Sequence, residues 1–139
     1  MRAARTQDEI DAAMTLRRRV FCGEQGVPLE AERDGRDGEA LHLVALEEGR
    51  VVGTCRLLIG HGTVRLGRMA VEPVRRGSGV GGVLLAEADR TAVAAGAPRI
   101  RLHAQTYARG VYDRAGYSVL GEPFMEEGIE HVTMEKRVA

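Results

Sequence analysis

The chain has 139 residues, of which 44% are apolar, 29% charged and 4% aromatic, and 20 basic side chains balance 20 acidic ones. This length predicts a single domain over residues 1–139, large enough to bury a core without disulfides or a metal. A net charge near zero argues against a domain that gains its affinity by neutralising nucleic-acid phosphates. No apolar stretch approaches the roughly 20 residues of a membrane span, and no apolar signal core follows the first residues. We therefore expect a cytoplasmic protein that binds neither nucleic acid nor membrane.

The first half of the chain predicts a short edge strand before Thr6, then a helix and three strands. Thr6 and Glu9 have capping-box spacing, in which Thr6 accepts from a helix amide and Glu9 from the Thr6 amide, so a helix begins there and continues to about Gly23. The polar segment 30–39 has no period and predicts an exposed loop. Strands follow at 41–46, 51–59 and 63–71, the first two joined by a hairpin turn. Alternate residues of the second strand, beginning with Val51, are expected on one buried face.

The second half predicts a helix that opens at the glycines of 77–82, buries one side from Val80 to Ala95 and ends at Gly96. A strand at 100–105, a short helix at 107–115 and strands at 117–120 and 131–136 complete the chain. This order predicts a mixed α/β (α+β) fold around one sheet.

Two cysteines, Cys22 and Cys55, lack the spacing of a redox pair or a zinc site. We expect free thiols and no metal. Cys55 falls on the apolar side of its predicted strand, which indicates a buried core thiol.

Residues 69–82, MAVEPVRRGSGVGG, combine the end of a strand with a glycine-rich turn that opens a helix. Such a turn favours a phosphate, because the first helical amides lack internal partners and the helix dipole attracts an anion. Gly77, Gly79 and Gly82 formally match a dinucleotide fingerprint, but no acidic residue ends the next strand. A Walker A loop is excluded because no Lys-Ser or Lys-Thr follows the glycines. A glycine turn without any ligand stays open as an alternative.

Two segments carry a resemblance to a known family. Arg76-x-x-Gly79-x-Gly81, directly after Val71-Glu72-Pro73, resembles the acetyl-coenzyme A motif of the GNAT superfamily of N-acetyltransferases. Residues 105–117 resemble the second GNAT signature, with Tyr112 on a short helix followed by a glycine and an aromatic residue. Nearly the whole chain is similar to the small ElaA-like branch, at Val20, Phe21, Glu24, Gln25, His42, Leu43, Gly67, Arg68, Ala104, Gln105 and 127–131. Gln105 departs from the wider superfamily, where Asn is usual.

The resemblance implies a mixed, mainly antiparallel central sheet with helices on both faces and splayed fourth and fifth strands. It implies an N-acetyltransferase that moves an acetyl group from acetyl-CoA to a primary amine by direct attack. The residues expected to contact acetyl-CoA are Met69, Ala70, Val71, Arg75, Arg76, Gly77, Ser78, Gly79, Val80, Gly81, Gly82, Gln105 and Tyr112.

Tyr112 matches the superfamily tyrosine, and a phenol stays protonated at neutral pH, so it is the candidate general acid. A packing aromatic is the alternative. His103, His131 and Glu24 are candidates for the general base, with a structural or substrate-orienting role for each, or a water chain, as the alternatives. His131 and Glu127 are expected to contact the acceptor amine.

The acceptor is expected to be a small-molecule or peptide amine. Segments 30–39 and 122–130 are acidic, and if they border the acceptor site they would favour a cationic amine. A solvated surface is the alternative. The sequence leaves room for a homodimer, for a non-catalytic sensor of acyl-CoA, and for a looser resemblance to acyl-homoserine lactone synthases.

Overall fold

A seven-stranded sheet runs through the protein in the order β1-β2-β3-β4-β5-β7-β6, in a computed structural model that describes residues 2–60 and 62–138. Neighbouring strands are antiparallel except β4 and β5, which are parallel. The strands are β1 (Arg2–Ala3), β2 (Leu41–Glu47), β3 (Arg50–Ile59), β4 (Val64–Val71), β5 (Arg99–Gln105), β6 (Ser118–Glu126) and β7 (Ile129–Arg137). The helices are α1 (Gln7–Arg17), α2 (Leu29–Glu32), α3 (Val80–Ala94) and α4 (Arg109–Arg114). The predicted fold class is confirmed. His61, in the predicted turn 60–62, lies outside the described residues.

Helix α1 begins as predicted, with the Thr6 hydroxyl accepting from the Glu9 amide at 3.1 Å. The second half of the predicted capping box is wrong. The Glu9 carboxylate accepts from the Arg5 amide at 2.8 Å and from the Arg2 guanidinium, because a cation on β1 is a stronger partner than the Thr6 amide. These partners lower the pKa of Glu9 to about 2. After Arg17 the helix continues as a π-helical turn, Arg18–Glu24.

The prediction of an exposed loop at 30–39 is correct in that most of these residues are exposed, and wrong in that the segment is not irregular throughout. Helix α2 and a short 3-10 turn, Asp37–Glu39, occupy most of this segment. Glu32 is only 4% exposed, because its carboxylate accepts from the buried Arg17 guanidinium at 2.7 Å. A charge pair removed from water stabilises the segment only while both partners stay in place.

Strand β3 is buried on both faces. The predicted alternation onto one face is wrong at its two ends, because Val51 packs against the smaller core cluster and Ile59 is half-exposed. Cys55 and Leu57 lie in the large core cluster, whereas Thr54 and Arg56 are buried on the other side by α1 and segment 30–39. Burial raises the pKa of the Cys55 thiol to about 12. The core-thiol interpretation of Cys55 is therefore confirmed.

Helix α3 packs on β3 through Leu84, Leu85, Ala88 and Ala92, as predicted. Ala95, which we expected on this buried side, is exposed because the helix ends at Ala94. The close approach of α3 to β3 depends on Gly53. A Cβ placed there would lie 2.7 Å from Val80 Cγ1 and 3.2 Å from Leu84 Cδ1.

The last two strands are longer than predicted, and the acidic segment 122–130 is a hairpin rather than a loop. Glu126 pairs with Ile129, and Glu127 and Gly128 form the turn with φ of 51° and 74°. Pro123 obscured this strand in the sequence, since proline interrupts a ladder. Here it lies in a register shift of the edge strand β6, where no outer neighbour needs its missing N–H.

Candidate active site

Strands β4 and β5 pair over only three residues of each strand. Val64, Arg65 and Leu66 lie opposite Ile100, Arg101 and Leu102, and beyond them the two strands share no further pairs. At the same level β4 bulges against β3, and Arg68 adopts a positive φ of 53°. The resulting gap opens into a cleft with a volume of about 1230 Å³. The predicted splay of the fourth and fifth strands is confirmed.

One wall of the cleft is the glycine-rich start of α3. Gly77 and Gly79 have φ of 81° and 92°, a region that suits glycine, and Gly79 begins the helix without a side-chain cap. Gly77, Gly79 and Gly82 have nothing within 4 Å of an added Cβ. The start of α3 is therefore uncrowded, and its first amides lie at the positive end of a helix dipole, an arrangement suited to an anion.

Two arginines next to these glycines are held by carboxylates. Arg76 donates to both oxygens of Glu24 at 2.9 Å and to the Val71 carbonyl at 3.2 Å. Arg75 donates to Glu47, with Nε at 2.7 Å from the carboxylate. Both arginine side chains are more than 40% exposed, so they remain able to meet a second anion.

Tyr112 lies on α4 and lines the cleft with 9% of its surface exposed. Its ring meets that of Tyr117 edge to face, with centroids 6.0 Å apart. Among the described residues no group hydrogen-bonds its hydroxyl. Burial raises its pKa, so the phenol holds its proton at neutral pH. These properties fit a proton donor.

The π-helical turn and the end of β5 are joined by a pair of amides. Gln25 donates to the Gln105 oxygen at 3.2 Å, and Gln105 donates back to Gln25 at 2.7 Å. The Gln25 amide also lies 3.2 Å from the Tyr107 hydroxyl. Gln105 is therefore oriented by a residue 80 positions earlier in the chain.

Two histidines flank one carboxylate at the end of the β6–β7 hairpin. Glu126 lies 3.5 Å from His103 Nδ1 and 3.6 Å from His131 Nε2. His131 Nδ1 lies 2.8 Å from the Ile129 carbonyl. Because a carbonyl only accepts, Nδ1 carries the hydrogen, and Nε2 of the neutral ring is left with a lone pair. Phe124 fixes the cluster, stacking on His131 with centroids 5.9 Å apart and meeting His103 edge-on.

The sequence marks Glu126 only as one acid of segment 122–130, and its place between the two histidines was not predicted. An alternating strand pattern through Pro123 would have been the signal, because it places Phe124 and Glu126 on one face opposite His131.

The carboxylates of segment 30–39 do not face the cleft as free charges. Asp34 accepts two hydrogen bonds of 2.8 Å from Arg56, and Asp37 accepts from Arg17 at 2.8 Å. Arg56 holds the pKa of Asp34 well below its ordinary value. The negative charge of this segment is therefore largely compensated within the protein. The expectation of a cationic acceptor depended partly on that charge.

The cleft brings together all but one of the residues predicted to act in catalysis or to contact acetyl-CoA or the acceptor. Tyr112, His103, Glu24, His131 and Glu127 all line it, as do the residues expected at acetyl-CoA from Met69 to Gly82 together with Gln105. Ser78 does not line the cleft, and its hydroxyl donates to the Arg75 carbonyl.

Within residues 2–60 and 62–138, no helix has the length and apolarity needed to cross a membrane. The same residues contain no group of three or more His, Cys, Asp or Glu side chains arranged to hold a metal ion.

A splayed parallel strand pair beside an uncapped glycine helix start defines an acyltransferase type of site, and the comparison with known families agrees. Residues 4–138 match the model of the acetyltransferase (GNAT) domain. The chain belongs to this family of acyl-CoA N-acyltransferases.

Individual relatives cover almost the entire chain. The uncharacterized N-acetyltransferase YjcF of Bacillus subtilis is 35% identical over 134 residues, which cover 96% of both chains. An acyl-CoA N-acyltransferase from Pseudomonas aeruginosa is 31% identical, with a TM-score of 0.83 and coverage of 95% of this chain and 92% of that one. Escherichia coli ElaA is 27% identical, with a TM-score of 0.85 and coverage of 94% and 92%.

Proposed function

We propose that the protein transfers an acetyl group from acetyl-CoA to a primary amine by direct attack. The observation that carries the proposal is the opening of the β4–β5 pair beside the uncapped start of α3, with Tyr112 in the same cleft. The P. aeruginosa relative, an acyl-CoA N-acyltransferase, supports the choice of donor.

The residues of the cleft fit an acyl-CoA. The amides from Gly77 to Gly82 and the Arg76 guanidinium would hold its pyrophosphate, since both offer donors to an anion. The β4 edge from Met69 to Val71, which has no strand partner on the β5 side, would hold its amide-bearing arm. When bound, acetyl-CoA supplies an activated thioester.

The remaining cleft residues are placed to move protons. The Ile129 carbonyl accepts from His131 Nδ1, so the lone pair of the neutral ring lies on Nε2. His131 Nε2 accepts a proton from the acceptor ammonium. His103 shares the Glu126 carboxylate and is the second candidate for this role. Tyr112 donates its hydroxyl proton to the departing thiolate. Holding the amine next to the thioester supplies much of the rate, because correct positioning lowers a barrier by several kcal/mol.

Calorimetry with acetyl-CoA tests the donor site. Gly81→Asp puts a carboxylate at the helix start, where the nearest atoms to an added Cβ are 3.6 Å away, so the variant is expected to fold. Its Kd should rise by more than about tenfold. Val93→Asp, half-exposed near the other end of α3, adds the same charge and should leave the Kd unchanged. Equal affinities of wild type and Gly81→Asp would refute the assigned site.

A thiol-release assay with a panel of primary amines tests the reaction. Amine-dependent release of CoA is the expected result. Tight binding of acetyl-CoA without release for any amine would instead indicate a sensor.

A further inference from the structure

Two arginines face each other across the parallel strands at the base of the cleft. Arg65 on β4 lies in register with Arg101 on β5, and both side chains line the cleft. Arg101, His103 and Gln105 are alternate residues of β5, so they share one face of the sheet. The two guanidiniums therefore lie on the same side as the histidine cluster, below it along the strand.

These two cations are compensated unequally. Arg101 donates to Glu135 at 2.7 Å and 3.0 Å. Arg65 is exposed, its neighbour in register on β3 is Leu58, and among the described residues it has neither an ion pair nor a side-chain hydrogen bond. Like charges directly opposite in a sheet destabilise it, so this pairing carries a cost that a bound anion would relieve.

The other charges of the cleft do not supply that anion. Its lining contains eight arginines and five carboxylates. Glu24 is held by Arg76, Glu32 by Arg17 and Asp34 by Arg56. Glu126 lies between the two histidines, and Glu127 is in the hairpin turn beyond it. Arg65, at the base, is one of the lining arginines that have no carboxylate partner among the described residues, whereas the carboxylates of Glu126 and Glu127 lie near the histidines.

We infer, on the basis of the proposed function, that the acceptor is an amine that also carries an anionic group, a carboxylate or a phosphate, which Arg65 binds with help from Arg101. The amine meets Glu126 and the histidines, and the anion meets the arginines. Arg101 and Gln105, opposite His131, are four residues apart, or about 13 Å along the strand. Arginine side chains that extend toward the histidines shorten the distance between the anion site and the amine site. A linear ω-amino acid with a few methylene groups therefore spans the two sites.

Steady-state kinetics with matched acceptors tests the inference. The series is ε-aminocaproate, its neutral amide, hexamethylenediamine and an aminopentyl phosphate. We expect kcat/KM for ε-aminocaproate to exceed that of the amide by about tenfold, since a charge-assisted hydrogen bond distinguishes them. The preference should shrink as salt rises, because the site is partly exposed. Comparing kcat/KM for the aminopentyl phosphate with that for ε-aminocaproate identifies whether Arg65 prefers a phosphate or a carboxylate.

Variants assign the preference to one side chain. Arg65→Gln should reduce the ratio of kcat/KM for the acid to kcat/KM for the amide to near one. Arg50→Gln, at the exposed start of β3 and outside the cleft, removes the same charge and should keep the ratio. A wild-type preference for the diamine, or an unchanged ratio in Arg65→Gln, would overturn the inference.

Binding separates this inference from the proposed function. Calorimetry on CoA-loaded protein compares the Kd of ε-aminocaproate with that of its amide in wild type and Arg65→Gln, without any chemical step. A preference for the acid that Arg65→Gln abolishes supports the anion site even if no amine is acetylated. Acetylation of amines without any preference for the acid retains the proposed function and rejects the anion site.

Discussion

Glu24 and Arg76, 52 residues apart in sequence, form a two-pronged ion pair with both distances at 2.9 Å. The pair joins the π-helical turn after α1 to the loop that leads into α3. Arg76 lowers the pKa of Glu24, so this carboxylate is a weaker proton acceptor than an ordinary one. This ion pair favours a role for Glu24 in holding Arg76, and its role as general base stays a prediction.

Replacing Glu24 with Gln distinguishes these two roles. If Glu24 holds Arg76, Glu24→Gln frees the guanidinium for the donor's phosphates, and the Kd for acetyl-CoA should fall by about two- to fivefold with kcat nearly unchanged. Glu47→Gln, which frees Arg75 in the same way, is the matched comparison. A loss of kcat of about 100-fold in Glu24→Gln would restore the general-base hypothesis.

Tyr112→Phe tests the proton donor. The phenylalanine keeps the edge-to-face packing on Tyr117, so folding should be preserved, while kcat falls by about 100-fold and the Kd for acetyl-CoA stays constant. Tyr117→Phe is the control, since the Tyr117 hydroxyl is buried without a hydrogen-bond partner. Full kcat in Tyr112→Phe, measured where chemistry limits turnover, would assign Tyr112 to packing.

Glu126→Gln tests the histidine cluster. The amide preserves the shape of the side chain but removes the charge that both histidines share, so we expect kcat to fall by about tenfold with no change in the Kd for acetyl-CoA. Glu122→Gln, on the same strand and exposed, should have no effect. If both variants retain wild-type kcat, the cluster serves structure alone.

We expect the loss of folding stability at acidic pH to depend on Asp34. Because Arg56 lowers the pKa of this carboxyl, its contribution to stability is present above about pH 4 and is lost as pH falls further. Asp34→Asn should destabilise the protein by roughly 1–3 kcal/mol at pH 7, since it leaves Arg56 donors unpaired. In the variant, the free energy of unfolding should also fall less steeply as pH decreases. Urea unfolding across pH measures both effects, with Glu30→Gln, exposed on the same segment, as the control.

Local patterns were enough to predict most of the fold. The Thr6 cap, the hairpin at Glu47–Arg50 and the glycine start of α3 each depend on a few neighbouring residues, and each is present. The glycine motif and Tyr112 were assigned to one site through family resemblance. The structure brings them into one cleft.

Long-range charge pairing was not predictable from local sequence. The partners Arg17–Glu32, Arg56–Asp34 and Arg76–Glu24 lie 15, 22 and 52 residues apart. In a hydrophobic pattern each such residue counts only as polar and is expected in solvent. For this reason the sequence predicts an exposed loop at 30–39, although four of its five acids, Glu32, Asp34, Asp37 and Glu39, are paired with arginines in the folded chain.

The short pairing of β4 and β5 leaves the molecule with sheet edges in its interior. Beyond Leu66 and Leu102, neither strand has a ladder partner on the side facing the gap, and unpaired edges are templates for adding a further extended chain. Arg76 covers one of these groups by donating to the Val71 carbonyl. The cleft is thus a vacant strand position within the sheet, and an occupant with amides in its chain would restore the continuity of hydrogen bonding from β1 to β6.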